Sequence, residues 1–372
     1  MGSIRQAYEG RQLPGDQIHL FRNSDRAFPS RTVRKGARVQ PLPRSPVSLD
    51  GLRIHSRDQQ YDLFDYLSRN RVAGLMVLKA GRVCFEHHEF GNDAATRWIS
   101  MSMAKSVSSA LVGVAIQDGL IASIDDPINK YLPELAGSGY DGVSIRHILQ
   151  MTSGVQWDDT HTDPASERRK MLELQIGQQP GSILRYIATL PRVAQPGTLW
   201  NYSTGETHII GALVRAAVGR WLSDYLSEKI WSVCGMESDA TWWLESPHGL
   251  EVAGSGFGAT LADYARFGQF MLNDGVVDGR PVLPPGWARE SGASRQIGGK
   301  RVDYGYMWWT VPAPDGSLHD GAYGARGIFG QFIYINPREQ VVIAVLSARA
   351  KPKHAEVIID NDFFNAVAMA LR

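Results

Sequence analysis

The spacing of hydrophobic and polar positions changes character along the chain. Residues 1–58 show no sustained period, and Arg, Pro and Gly are scattered through them, which predicts an extended arm. YDLFDYLSRN (61–70) places Leu63, Phe64 and Leu67 at helical spacing, and GLMVLKAGRVCFEHHEFG then gives two β-rich runs around Lys79-Ala80-Gly81, a helix followed by a hairpin. From Ser102 onward Val107, Leu111, Val114 and Ala115 recur at three- and four-residue steps, with Gly119 placed to end the helix. That helix is too apolar for a surface position.

Between residues 120 and 290, short helical patterns alternate with Pro and Gly, predicting a mostly helical lobe over 101–290. VDYGYMWWTV, GIFGQFIYINP and QVVIAVLSA follow as aromatic and β-branched runs. The last two read as an antiparallel pair joined at Asn336-Pro337-Arg338-Glu339, and an amphipathic helix from about Ala355 to Leu371 closes the sequence. Strands at both ends and helices between them predict an α/β (α+β) fold. A discontinuous sheet domain (59–100 and 291–372) carries an antiparallel sheet flanked by helices, with the helical lobe inserted and a cleft where the two meet.

Composition narrows the partners. The 372 residues are 43% hydrophobic, enough for a large core, and 39 basic against 38 acidic residues leave a formal net charge of +1. No field of either sign would draw in nucleic acid or an anionic membrane. The cation-rich stretch Arg31–Arg44 is interspersed with Pro and Gly and reads as a solvated part of the arm. Cys84 and Cys234 stand alone in apolar settings, so buried free thiols are expected rather than a disulfide or a metal site. His87 and His88 neighbour Glu86 and Glu89, but successive strand residues face opposite ways and share no ligand sphere. The opening MGSIRQAYEGRQLPGDQ lacks an apolar leader run and no stretch is long enough to span a membrane, giving cytoplasmic placement as the expectation; Met-Gly-Ser itself reads as a cloning remnant.

The candidate chemistry begins with Ser102-Met103-Ala104-Lys105. In a helix this S-x-x-K spacing puts hydroxyl and amine on one face, and a buried lysine can take the serine proton. Alone, such a tetrad more often decorates a solvated helix face. Here it opens a buried helix, and a lysine there opposes the helix dipole, a cost that a structural role does not explain. In PGTLWNYST (196–204) a turn presents Tyr202 as an acid/base partner, its phenol able to relay a proton and Lys105 able to stabilise its phenolate; a lone turn tyrosine would more often be a packing residue. Asp158, Asp159 and Asp163 surround Thr160 and His161 in a loop after Trp157, read equally as a lid with polar contacts to substrate or as a solvated surface loop. Tyr304, Tyr306, Trp308 and Trp309 read as core or cleft wall.

Six segments in one order, TRWISMSMAKS, DGLIASIDDPINKYLPEL, VSIRHILQMTSGVQW, QPGTLWNYST, GSGFGATLADYARFGQFML and ARGIFGQFIYINP, resemble the class C β-lactamase-like serine hydrolases. That group includes penicillin-binding proteins, family VIII carboxylesterases and 6-aminohexanoate-dimer hydrolases, and the resemblance spans nearly the whole chain. DPASE (163–167), GIFGQ (327–331) and His354 are most similar to the last branch. The resemblance implies a β-lactamase/transpeptidase-like fold and a hydrolase without metal or cofactor, acting on a small-molecule ester or amide. It implies that Ser102 is acylated, Lys105 is the general base, Tyr202 protonates the leaving group, and the Ser102 and Ile328 amides form the oxyanion hole. Trp157, Asp163, Arg326 and His354 are the expected substrate-binding residues. Two departures stand out. The Lys-Thr-Gly strand motif is replaced by HDGAYGARG (319–327), and Thr204 takes the third place of Tyr-x-Asn. Both point away from β-lactams, leaving a β-lactamase or D-amino-acid peptidase as the alternative enzyme and a catalytically silent penicillin-binding-like receptor as the non-enzymatic one.

Overall fold

The computed structural model describes residues 4–312 and 321–372. A six-stranded antiparallel sheet runs in the order Trp309–Thr310, Tyr323–Gly327, Gln331–Asn336, Val341–Ser347, Val72–Lys79, Arg82–His88. The expected union of an N-terminal hairpin with C-terminal strands is the pairing of Val72–Lys79 with Val341–Ser347. The hairpin turns at Ala80 and Gly81, both in the left-handed region at φ 47° and 73°.

Alternation across the sheet explains why VVIAVLS reads as an unbroken apolar run. Val342, Ala344 and Leu346 join Phe267 and Phe270 of the helix Leu261–Leu272 in one core. Val341, Ile343 and Val345 face the other way, against Tyr66, Phe363 and Phe364 of the helices Leu63–Arg69 and Asp360–Ala370. Both faces are covered, so both sets are apolar. The helix Met103–Gln117 crosses the middle of the molecule, and Gly119 follows it at φ 74° in the expected left-handed cap.

Two regions depart from the sequence reading. The segment read as an extended arm forms the helices Ile4–Tyr8 and Pro14–Arg22 and the strand Ser30–Val33. The largely helical middle contributes Ala240–Trp243 and Phe257–Thr260 to a second, four-stranded antiparallel sheet, ordered Ser30–Val33, Ala240–Trp243, Phe257–Thr260, Arg97–Ile99. These strands are three or four residues long and largely buried, so they carry no alternation to betray them. Cys84 and Cys234 are buried free thiols. His87 and His88 each contact a glutamate two residues away, Glu89 and Glu86. No helix among the described residues is long and apolar enough to cross a membrane.

Candidate active site

Ser102 sits on the tight turn between the strand Arg97–Ile99 and the helix Met103–Gln117. The turn is closed by Met101, a buried non-glycine residue in the left-handed region at φ 48°. Such a conformation persists only where its surroundings enforce it. Three serines on the following turns do so by anchoring the helix: Ser106 and Ser109 donate to the Met307 and Tyr306 carbonyls at 2.7 and 2.6 Å, and Ser108 to the Ala253 carbonyl at 2.8 Å.

Lys105, one helical turn on, is 1% exposed. Its Nζ donates to Ser102 Oγ at 3.0 Å and to the Gly254 carbonyl at 3.2 Å. Burial is the largest influence on this amine; nearby Arg168 and Lys353 reinforce it, Asp159 opposes it, and the pKa falls to about 7. A neutral amine is therefore available beside the hydroxyl at neutral pH.

Tyr202 precedes the helix Thr204–Val218, whose N-cap Ser203 accepts from the Glu206 amide. Its turn is held by Asn201, whose side chain donates to the Trp157 carbonyl at 2.8 Å and whose backbone amide donates to the Met151 carbonyl at 2.9 Å. Lys105 Nζ lies 5.1 Å from the Tyr202 ring centroid. Burial, with Asp159 adding to it, holds the phenol well above its usual range, while hydrogen bonding to Ser102 pulls the other way. The resting tyrosine is thus a neutral phenol. Trp309 stacks on it at 5.5 Å, and Trp200 and Tyr304 complete the aromatic wall. Tyr306 and Trp308 of the same cluster lie in the core.

Across the cleft the strand Tyr323–Gly327 runs against the Ser102 turn. A Cβ at Gly327 would lie 2.5 Å from the Ser100 carbonyl oxygen, so only glycine permits this approach. The next residue, Ile328, lines the cleft with Ser102, and neither backbone N–H has a protein acceptor among the described residues.

The cleft has a volume of about 780 Å³ and is lined by Ser102, Trp157, Tyr202, Arg326, Ile328 and His354 among others. Arg326 lines it, 5.8 Å from the Trp309 ring, and its guanidinium donates to Asn361 at 3.3 Å. His354 lies exposed at its mouth. Asp163 does not reach it: the residue is exposed, and its carboxylate accepts from the Ala165 amide in the turn before the helix Glu167–Gly177. His319 and Asp320, which open the segment replacing Lys-Thr-Gly, lie outside the described residues.

Sequence reasoning placed Asp159 in a polar loop without giving it a part in the trio, and passed over Arg349, Asp360 and Glu206. Asp159 lines the cleft and accepts from Trp157 Nε1 at 2.8 Å and from the Thr204 amide at 3.0 Å. Arg349 and Asp360 form a buried bidentate pair at 2.5 and 3.0 Å on the cleft floor, joined by the Tyr66 hydroxyl. Glu206, pushed up to about 8 by burial, accepts from Ser153 beneath the Tyr202 turn. No spacing signal marks these residues, and the Thr204, Tyr66 and Ser153 partners lie far off in sequence.

The chain is 28% identical to the 6-aminohexanoate-dimer hydrolase of Paenarthrobacter ureafaciens over 78% of this chain and 76% of that one. A solved structure from Bacillus anthracis, provisionally named a 6-aminohexanoate-dimer hydrolase, superposes with a TM-score of 0.84 at 22% identity, covering 97% of this chain and 94% of that one. A family VIII carboxylesterase shares the fold at a TM-score of 0.62 and 17% identity, covering 81% and 93%. Residues 64–364 match the Beta-lactamase family, and the protein belongs to that family of hydrolases.

Proposed function

We propose that the protein is a serine hydrolase that cleaves a small-molecule ester or amide through an acyl-enzyme on Ser102. The observation that carries this reading is the 3.0 Å contact between Ser102 Oγ and a buried Lys105 whose pKa lies near 7. Lys105 takes the hydroxyl proton as Oγ attacks the carbonyl carbon, and the Ser102 and Ile328 amides receive the oxyanion. Tyr202, held as a neutral phenol, protonates the leaving group; its phenolate then takes a proton from the water that attacks the ester intermediate, and Lys105 returns its proton to Ser102 Oγ as the acyl–oxygen bond breaks. The named activity of the Paenarthrobacter relative supports an amide and the carboxylesterase neighbour an ester.

A β-lactamase is the second reading, favoured by one observation: Arg326 presents a cation inside the cleft. It is set against the missing Lys-Thr-Gly. A fluorophosphonate probe followed by mass spectrometry tests the first reading, with one adduct expected on the wild-type chain and none on Ser102→Ala. A folded wild-type chain that stays unmodified would sink it.

A further inference from the structure

The Ser102 pocket contains a buried carboxylate that the Ser102, Lys105 and Tyr202 roles leave unused. The Asp159 side chain is 8% exposed. Its Oδ1 accepts from Trp157 Nε1 and the Thr204 amide, tying it to the first turn of the helix that follows Tyr202. Its Oδ2 is buried without a hydrogen-bond partner among the described residues, and His161 Nε2 stands 3.9 Å away. Burial brings His161 down to about 3 although Asp159 opposes this, and the Asp159 carboxyl is itself held below its usual range by His161, Lys105 and Arg168 against the effect of burial. A buried carboxylate oxygen left unpaired is costly.

We propose that Asp159 is a positioning residue of the acylation step, fixing the Tyr202 turn through Thr204 and supplying the negative charge that stabilises an ammonium at Lys105. The proposal rests on the Ser102 reading. When Oγ bonds the carbonyl carbon, its proton passes to Lys105 Nζ and the carbonyl π pair moves onto oxygen, so a buried cation and a buried anion appear together. Around the lysine, Arg168 of the helix Glu167–Gly177 and Lys353 from the loop before the C-terminal helix oppose that cation, as does burial. The Gly254 carbonyl and the Tyr202 ring face it from the remaining sides. Asp159 is the carboxylate that favours it. The same charge disfavours a phenolate at Tyr202. Asp159 thereby sorts the protons, with the serine proton going to the lysine while the phenol keeps its own.

Asp159→Asn is nearly isosteric and keeps an acceptor for Trp157 and Thr204, but lacks the charge. The experiment measures the second-order rate of fluorophosphonate labelling from about pH 5 to about pH 9. The wild-type rate rises through about 7 as Lys105 loses its proton. In Asp159→Asn the rising limb moves down by about one pH unit or more, and the plateau falls about 10-fold. Asp159→Glu keeps a carboxylate and is expected to keep a limb near the wild-type position. Trp157→Phe strips one donor from the carboxylate and moves the limb upward, which decides the matter if Asp159→Asn fails to fold. A lower plateau on an unmoved limb indicates structural support alone and overturns the proposal, as does an unmoved limb in Trp157→Phe. Loss of all labelling in the wild type overturns the Ser102 reading and this proposal with it.

Discussion

Replacing Lys105 by methionine is expected to stabilise the protein while abolishing its chemistry. Burial lowers the lysine from 10.5 to about 7. A shift of about 3.5 units, at about 1.36 kcal/mol each, is a cost to the folded state of about 5 kcal/mol well below pH 7 and about 4 kcal/mol at pH 7. Against this, the substitution removes the hydrogen bonds to Ser102 and the Gly254 carbonyl, each worth about 1 kcal/mol. The net gain at pH 7 is on the order of 2 kcal/mol. Between the folded value near 7 and the unfolded value near 10.5, the unfolded chain binds more protons, so wild-type stability rises with pH and the advantage of methionine shrinks. Thermal unfolding followed by circular dichroism at about pH 7 and about pH 9.5 measures both effects. A Lys105→Met chain that melts below the wild type by the same margin at both values would refute the desolvated, half-neutral base. Fluorophosphonate labelling is lost in this variant, and Lys105→Arg does not restore it, because a guanidinium stays protonated.

Tyr202→Phe keeps the stack on Trp309 but removes the proton that burial holds on the phenol. Steady-state turnover is expected to fall by about 10² to 10⁴ with an unchanged melting temperature, whereas turnover near the wild-type rate would remove Tyr202 from the mechanism. Without Lys-Thr-Gly, p-nitrophenyl acetate or butyrate is expected to exceed nitrocefin in kcat/KM, since a buried carboxylate needs a matched cation and a neutral ester does not. Arg326 is the cation positioned to provide one, so Arg326→Ala lowers turnover of carboxylate-bearing substrates and spares neutral esters; nitrocefin equal to the esters, and lost on that substitution alone, would favour the β-lactamase reading.

The parts of the fold legible in sequence are those whose signal is local. Ser102 and Lys105 are three residues apart on one helix, and that spacing alone brings their polar atoms to 3.0 Å. Gly119 and Gly81 are marked as residues that tolerate positive φ. The second sheet was not legible, because ATWW and FGAT are short and inward on both faces. Nor was the folding of the arm: Tyr8 stacks on His161 at 5.7 Å and lies beneath the Arg168 guanidinium at 4.5 Å, partners more than 150 residues away. Asp159 and Asp163 show the limit most clearly. They share one polar loop and differ in fate because Trp157 packs onto Gly205 and carries its immediate neighbourhood inward, while the chain turns outward again before Ser166 caps the next helix.

The features that a stability argument would remove all converge on Ser102. Met101 holds a left-handed backbone, Lys105 sits desolvated near the positive end of a helix, and one oxygen of Asp159 is buried without a hydrogen-bond partner among the described residues. Each is unfavourable alone, and each is held by contacts made elsewhere: the serine ladder into the 306–307 backbone, the Gly254 carbonyl, and the Trp157 and Thr204 donors. At the cleft floor the opposite holds, where Arg349 and Asp360 satisfy each other and Tyr66 joins them. A neutralised pair has no charge left to offer a reacting group, so strain and incomplete charge compensation, more than the number of polar groups, separate the reacting wall of this cleft from its supporting one.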